Sequence, residues 1–437
     1  MKRSIFIFLI LITGSVSKLS AQSINFPDEN FLEYLLLYTT VDSNKDGEIQ
    51  VSEAEAYTGG LTITQKISNV SGLEYFKNIT SLTFNKSPVA TLNVTNNKLI
   101  TQLFIDGSKI TSLDLRSNTK LAAMDIRNNN FLTQVTFGQH PNLQYASLML
   151  NSIEAIDVTQ CPMLTNLFLA SNKLTSIDLT KNPRLAELNL GANLLTTLDI
   201  SKNTRLTYLH IGVNAIQQLN VSNNTLLDTL MIQGNPLTSI DLSKLKFLRS
   251  FVMDSTGITS IDLTIHTMLQ FFYASDSQLS EVDASKNVNL IYVNAVNNDK
   301  MKYINVKNGN NNNFLGFFAH TSPNLKCIQV DNVAYSSSQT LWQKDATTAY
   351  STDCSNILSS NEIGQSTKVN VYPNPTSNYL FLSTISKDVS IYNMAGQLVS
   401  GFRNTKVLDL SHLSSGNYIV KVTDEKGNVS SQKFIKN

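Results

Sequence analysis

Apolar residues recur along this chain with a fixed beat. Leu185, Leu188 and Leu190 are followed by Asn193, spelling Leu-x-x-Leu-x-Leu-x-x-Asn. Leu195, Leu198, Ile200 and Asn203 spell it again. The pair returns as Leu206, Leu209, Ile211, Asn214 and Ile216, Leu219, Val221, Asn224, so the full period is 21 residues with two extended apolar segments in each. Successive side chains of a strand alternate, so each Leu-x-Leu pair points inward from one short strand. The asparagine falls where the chain turns, and its amide has both donors and acceptors for the backbone there. One such unit cannot bury its own apolar face, so units stack. Two strands and two turns leave no room for a helix within the period.

The register reads from Leu82 to Val330 as twelve coils. One extra residue enters near Asn130, and three enter at Asn308 to Asn313. At ~4.8 Å per coil the stack is on the order of 55 Å long. This spacing resembles the leucine-rich repeat family, and the resemblance rests on recurrence of the whole pattern. The expected fold is mainly β: a solenoid over 81–330 with strands on both broad sides.

The two segments differ on their outer faces. In the second, Asp114, Asp157, Asp178, Asp199, Asp241, Asp262 and Asp283 follow the key apolar residue, and all but Asp114 have Thr or Ser two positions later. So uniform a face is architectural: short oxygen-bearing side chains close turns and bond to neighbouring coils. In the first segment the equivalent positions vary and carry rings. Phe104, Tyr145, Phe168, Tyr208, His210, Phe271, Tyr273 and Tyr292 are the candidate ligand face, because stacking requires nothing outward there and aromatic side chains anchor interfaces. His210 has no partners at metal-ligand spacing. Cys161, His140 and His266 occupy turn positions and read as structural.

Residues 1–21 read as a secretory signal: Lys2 and Arg3, an apolar run from Ile5 to Ile12, and a cleavage site at Ala21. That run is too short to span a bilayer, and no transmembrane segment is expected in the mature form. Phe31, Leu32, Leu35 and Leu36 give a helical period. The next stretch has the order of a twelve-residue calcium loop. Asp42, Asn44 and Asp46 would supply side-chain oxygens, Glu48 its carbonyl, Gln50 a ligand often bridged by water, and Glu53 a bidentate carboxylate. Gly47 permits the sharp turn. A single loop outside the cell reads as a structural clip holding one calcium ion. Residues 22–80, with this loop and a degenerate first coil at 61–82, resemble the EF-hand-like helical caps that precede internalin-type repeats.

Residues 331–354 leave the period and form a C-terminal cap, in which Leu341, Trp342 and Tyr350 are available to cover the last coil. Cys327 and Cys354 bracket it, and a disulfide between them is expected in an oxidising compartment. Residues 355–367 are a polar linker. Residues 368–437 read as about seven short strands forming a small β-sandwich. VNVYPNPT at Val369–Thr376, VSIYNMAGQLV at Val389–Val399 and LSSGNYIVKV at Leu413–Val422 are similar, in order, to the type IX secretion C-terminal sorting domain. The resemblance implies Sec export, then passage across the outer membrane by the type IX machinery of a Gram-negative bacterium. It also implies removal of the domain, with the cargo released or left on the surface.

Composition narrows the function. The chain has 437 residues, 15% charged, with a net charge of +1, which leaves nucleic acid without an electrostatic basis as a partner. Three cysteines exclude a disulfide-built scaffold. No HExxH, GxSxG or phosphate-binding loop occurs, and the Asp ladder singles out no acid–base pair. The expectation is a non-catalytic, adhesin-like binding protein with a protein or peptide partner. A glycan ligand is the alternative.

Overall fold

The computed structural model describes residues 22–64, 66–355, 357, 370–423 and 429–437. The signal-peptide reading of residues 1–21, all of the linker except Ser355 and Ile357, and the Lys426-Gly427 turn lie outside the described residues. The chain divides into two compact units, Met1–Asp353 and Cys354–Asn437.

The first unit opens on helix α1, Glu29–Tyr38, which buries Phe31, Tyr34 and Leu35. Asp28 caps it, its side chain accepting from the Asn30 N–H at 3.1 Å. A loop leads to helix α2, Val51–Ala56, where the Glu53 carboxylate reaches back to the Gln50 N–H at 3.0 Å. That link satisfies a donor the helix leaves open at its first turn.

The repeats then stack as expected. Among the described residues, fourteen parallel strands form one sheet from Gly60–Ile63 to Trp342–Lys344. Leu188 stands opposite Leu167 on one side and Leu209 on the other. In the strands from Asn166–Phe168 to Thr229–Met231 the key residue is buried and both neighbours are half-buried. The sheet runs one rung past the twelve coils at each end. Leu61 pairs with Leu82, and Trp342 pairs with Phe317. Trp342 therefore joins the sheet as well as covering the last coil, with its ring stacked on Phe317 at 5.0 Å.

The second broad side is strand only towards its ends. Ser112–Asp114 pairs with Gln134–Thr136, and Glu281–Asp283, Tyr303–Asn305, Cys327–Gln329 and Ala349–Ser351 form a four-stranded sheet. The coils carrying Ile156, Ile177, Leu198, Ile240 and Ile261 contribute no strand on this side, and these residues are half-buried. The Asp ladder closes its own coil. Asp178 Oδ1 accepts from the Thr180 N–H at 2.9 Å and the Thr180 hydroxyl at 2.7 Å, and Asp157–Thr159 and Asp262–Thr264 repeat this. Bonding to neighbouring coils, expected from the sequence, gives way to this local turn because the nearest open donor lies two residues on. Asn305 is different, donating across to Asp283 at 3.1 Å.

Two stacks of buried asparagines tie coil to coil. On the first side Asn193 Nδ2 donates to the carbonyls of Leu169 and Leu190, both at 3.0 Å, while its Oδ1 accepts from the Leu174 N–H at 3.0 Å. Asn172, Asn214 and Asn235 repeat this three-way bond. On the second side Asn203 Nδ2 donates to Leu179 and Asn182 carbonyls at 3.1 and 2.9 Å, but its Oδ1 has no partner. The chain enters the first stack through a left-handed residue, such as Ala192 at φ 53° or Val213 at φ 57°.

The second unit is antiparallel. Among the described residues it has five strands rather than about seven: Val371–Tyr372, Tyr379–Asn393, Leu398–Asp409, Gly416–Thr423 and Val429–Lys436. Tyr379–Asn393 pairs with three others, and register shifts divide its pairing with Leu398–Asp409. The strands are fewer and longer than expected, because Tyr379–Asn393 runs on through those irregularities. Leu380, Val389, Ile391, Leu408, Val420 and Phe434 fill the core.

Candidate functional site

The fourteen-stranded sheet presents the variable positions on its outer face. Each candidate residue there is half-buried: Phe104, Tyr145, Phe168, Tyr208, His210, Phe271, Tyr273 and Tyr292. None is tucked into the core of its unit, because the alternation that buries the key residue turns its neighbours outward.

The face gathers all of these residues except Phe104 into three groups. The largest lies towards the C-terminal end of the sheet. Tyr273 and Tyr292 have ring centroids 5.1 Å apart, and Tyr292 and Phe318 have theirs 5.8 Å apart. Phe271 stands beside Tyr292 on the neighbouring strand. Gly316 makes this grouping possible. A methyl group added there would lie 2.7 Å from the Phe318 ring and 3.1 Å from the Tyr292 ring. Glycine in a strand can mark a close approach, and at Gly316, the first residue of its strand, the approaching groups are aromatic. The role of Gly316 was not legible in the sequence, since nothing in the repeat distinguishes it from a weak rung.

The second group pairs Tyr145 with Phe168 at 5.8 Å, edge to face. In the third, the Tyr208 hydroxyl donates to the Met231 sulfur at 3.6 Å, and His210 Nε2 is 3.1 Å from the Gln233 amide. Phe104 belongs to neither pair nor cluster; it stands between Thr83 and Asp125. Burial raises the Tyr145, Tyr208 and Tyr273 phenols and lowers His210, so these groups are neutral near pH 7. The face offers rings, hydroxyls and amides in a fixed array, the composition of a recognition surface.

The loop at 42–53 wraps around Gly47, at φ 82°. Asp42 accepts from the Lys45 and Gly47 N–H groups at 2.7 and 3.1 Å, Asn44 from Asp46 at 2.8 Å, and Asp46 from Glu48 at 2.9 Å. Glu53 Oε1 accepts from the Ser43 N–H, the Ser43 hydroxyl and the Asn44 N–H at 2.9, 2.8 and 3.2 Å. Burial alone would raise the Glu53 carboxyl, but these hydrogen bonds outweigh it and hold the carboxyl below its usual range. The hard oxygen donors suit a calcium ion in kind. The loop's own donors take part of their acceptor capacity, and the Asp42 and Asp46 carboxylates keep lone pairs beyond the bonds they accept. Among the described residues no three His, Cys, Asp or Glu side chains converge where a metal could sit.

Cys327 and Cys354 are both disulfide-bonded and both buried. Cys161 is the free cysteine, and burial pushes its thiol up to about 12, which leaves it without nucleophilic character. Among the described residues no helix is long and apolar enough to cross a membrane.

These features define a β-solenoid of the leucine-rich repeat class, joined to a domain that addresses the chain for export. Residues 370–437 match the secretion system C-terminal sorting domain, which is the type IX sorting domain. The solenoid is similar in fold to the functional domain of InlJ from Listeria monocytogenes, which includes a cysteine ladder. That match has a TM-score of 0.52 and 21% identity, covering 95% of this chain and 98% of that one. It is also similar to the Listeria monocytogenes internalin InlF, with a TM-score of 0.53 and 18% identity over 73% of this chain and 95% of that one. A leucine-rich repeat protein of Leptospira interrogans matches with a TM-score of 0.50 and 19% identity over 65% and 81%. Comparison with curated proteins returns no match. In this chain the second-side ladder is built of asparagine, and Cys161 stands in it among them.

Proposed function

We propose that this is a non-catalytic, adhesin-like protein of the outer surface or surroundings of a Gram-negative bacterium. In this reading the type IX machinery exports it through the sorting domain, and the outer face of the fourteen-stranded sheet grips a protein or peptide partner. One observation carries the assignment. The second side repeats one Asp-based turn that satisfies itself, whereas the first side diversifies at the same structural level and groups its rings. An architectural face has no use for such diversity, and grouped aromatic side chains supply most of the energy of protein interfaces.

The test uses the full chain immobilised against surface proteins of candidate host cells. Wild type should retain a partner that the Phe168→Ala, Tyr208→Ala, Phe271→Ala triple variant loses, with unchanged far-ultraviolet circular dichroism. Equal capture by both would refute the face. Gly316→Ala provides a subtler arm, since it displaces the Tyr292 and Phe318 rings without removing them.

The loop at 42–53 is proposed to take one calcium ion through Asp42, Asn44, Asp46, Glu48, Gln50 and Glu53. The ion would supply rigidity at the open end of the solenoid, not chemistry. The order of donors around Gly47 supports this reading.

A further inference from the structure

Tyr273, Tyr292 and Phe318 stand on three successive rungs of the first sheet, with ring centroids 5.1 and 5.8 Å apart. Tyr273 and Phe318 follow the key residues of their strands and Tyr292 precedes its own, so the rings zigzag between two columns. Their planes meet at 34° and 47°. Rings so tilted form ridges, not the shared flat platform on which a sugar ring would lie. Ile291 and Leu315 carry the apolar surface on to the margin of the sheet. The Leu315 N–H donates to the Ile291 carbonyl at 2.7 Å, and Leu315 is 60% exposed.

This group is uncharged and holds free donors. The positions flanking the key residues of its strands are Phe271, Tyr273, Tyr292, Asn294, Gly316 and Phe318, with no ionised side chain among them. Asp125 and Glu187 hold such positions on strands nearer the other end of the sheet. The Tyr208 hydroxyl is taken by Met231. Those of Tyr273 and Tyr292 make no hydrogen bond within the described residues, and neither oxygen is buried.

A neutral, ridged, donor-bearing surface fits an uncharged chain whose carbonyls are open and whose repeat matches the rungs. Two rungs span about 9.6 Å. One turn of polyproline II, three residues, rises about 9.3 Å, and its carbonyls make no internal hydrogen bond. Prolines three apart along such a chain, laid across the strands, therefore fall in register with Tyr273 and Phe318. They straddle the Tyr292 ring, which stands in the other column. The backbone is already in its bound shape, and pyrrolidine rings pack well against aromatic walls. Given that the face is the binding surface, we propose that this ring group takes a proline-rich peptide in the polyproline II conformation. Its prolines rest against Tyr273 and Phe318, and the Tyr273 and Tyr292 hydroxyls donate to its carbonyls.

Fluorescein-labelled decaproline tests this by anisotropy against the full chain. It should bind saturably, with a ten-residue Gly-Ser repeat weaker by about tenfold or more. Tyr292→Ala should weaken decaproline by a similar factor. Tyr273→Phe with Tyr292→Phe should weaken it about fivefold, the loss expected of neutral hydrogen bonds. That variant keeps the rings and carries the test should Tyr292→Ala lose its circular dichroism spectrum. Phe168→Ala with Tyr208→Ala, outside the group, should bind decaproline as wild type. Equal binding of the Gly-Ser repeat or of cellohexaose would overturn the peptide class, and wild-type affinity in both tyrosine variants would overturn the site. A wild type that ignores decaproline but still captures a cell-surface partner through Phe168, Tyr208 and Phe271 would remove proline-rich peptides and leave the face standing.

Discussion

The Asp28 carboxylate accepts from the Ser68 backbone N–H at 2.7 Å, fastening helix α1 to the first coil across forty residues of chain. The same oxygen accepts from the Ser68 hydroxyl at 2.9 Å and the Asn69 N–H at 3.1 Å, while the other caps the helix. Burial by itself would raise this carboxyl, but the bonds from Ser68, Asn69 and Asn30 outweigh it and hold it below the usual range. Asp28→Ala should cost about 2–3 kcal/mol in urea unfolding, the sum expected for a lost cap and a lost charge-assisted contact. The pH dependence follows from the lowered value. The Asp28 contribution is complete above the unfolded carboxyl pKa of about 3.9 and is lost as pH falls through the lower folded value. The gap between wild type and Asp28→Asn should therefore close in that acid range. A gap that stays constant to pH 2 would contradict the tether.

The two asparagine stacks should differ in weight. Asn193 is bonded through both its amide nitrogen and its oxygen. Removing it strands the Leu174 N–H, whereas the Leu169 and Leu190 carbonyls keep the Asn172 and Asn214 amides. Asn203 uses only its nitrogen. Asn193→Ala should cost about 2–3 kcal/mol, and Asn203→Ala about 1 kcal/mol less, because only the first leaves a buried N–H without a partner. The second stack already accepts Leu245 and His266 at equivalent positions. Equal losses in equilibrium unfolding would show that the unpartnered oxygen does not matter.

His140 and His266 sit fully buried in that second stack. Burial lowers both, and backbone carbonyls facing them offset only part of this. A histidine with a lowered folded pKa stabilises fully above its unfolded pKa of about 6.5, and that stability falls as pH drops below it. His140→Asn restores the residue used elsewhere in the stack. It should flatten the decline in unfolding free energy between roughly pH 6.5 and 5 relative to wild type. An unchanged slope would place the acid sensitivity elsewhere.

Calcium should raise the melting temperature of wild type above its value in chelator. The Asp42→Ala, Glu53→Ala double variant should melt alike in both. The variant will also be weaker in chelator, because both carboxylates brace the loop through the Ser43, Asn44, Lys45 and Gly47 N–H groups. The informative quantity is therefore the difference between the two conditions. Wild type that melts identically with and without calcium would remove the ion from the account.

The sequence by itself determined the solenoid, because a 21-residue period of inward leucines has no other way to bury its apolar face. It also determined the outward set of rings, since strand alternation fixes which side each residue takes, and it carried the motifs of the sorting domain. Tertiary structure alone decided how those rings group, which depends on Gly316 leaving room between two rungs. It decided that Trp342 becomes a rung, that the middle of the second side lacks strands, and that the described residues of the C-terminal unit form five strands. Periodicity reports what repeats within one chain segment. Contacts between rungs, and between a cap and the coil it closes, are set by distances across the stack that no local spacing encodes.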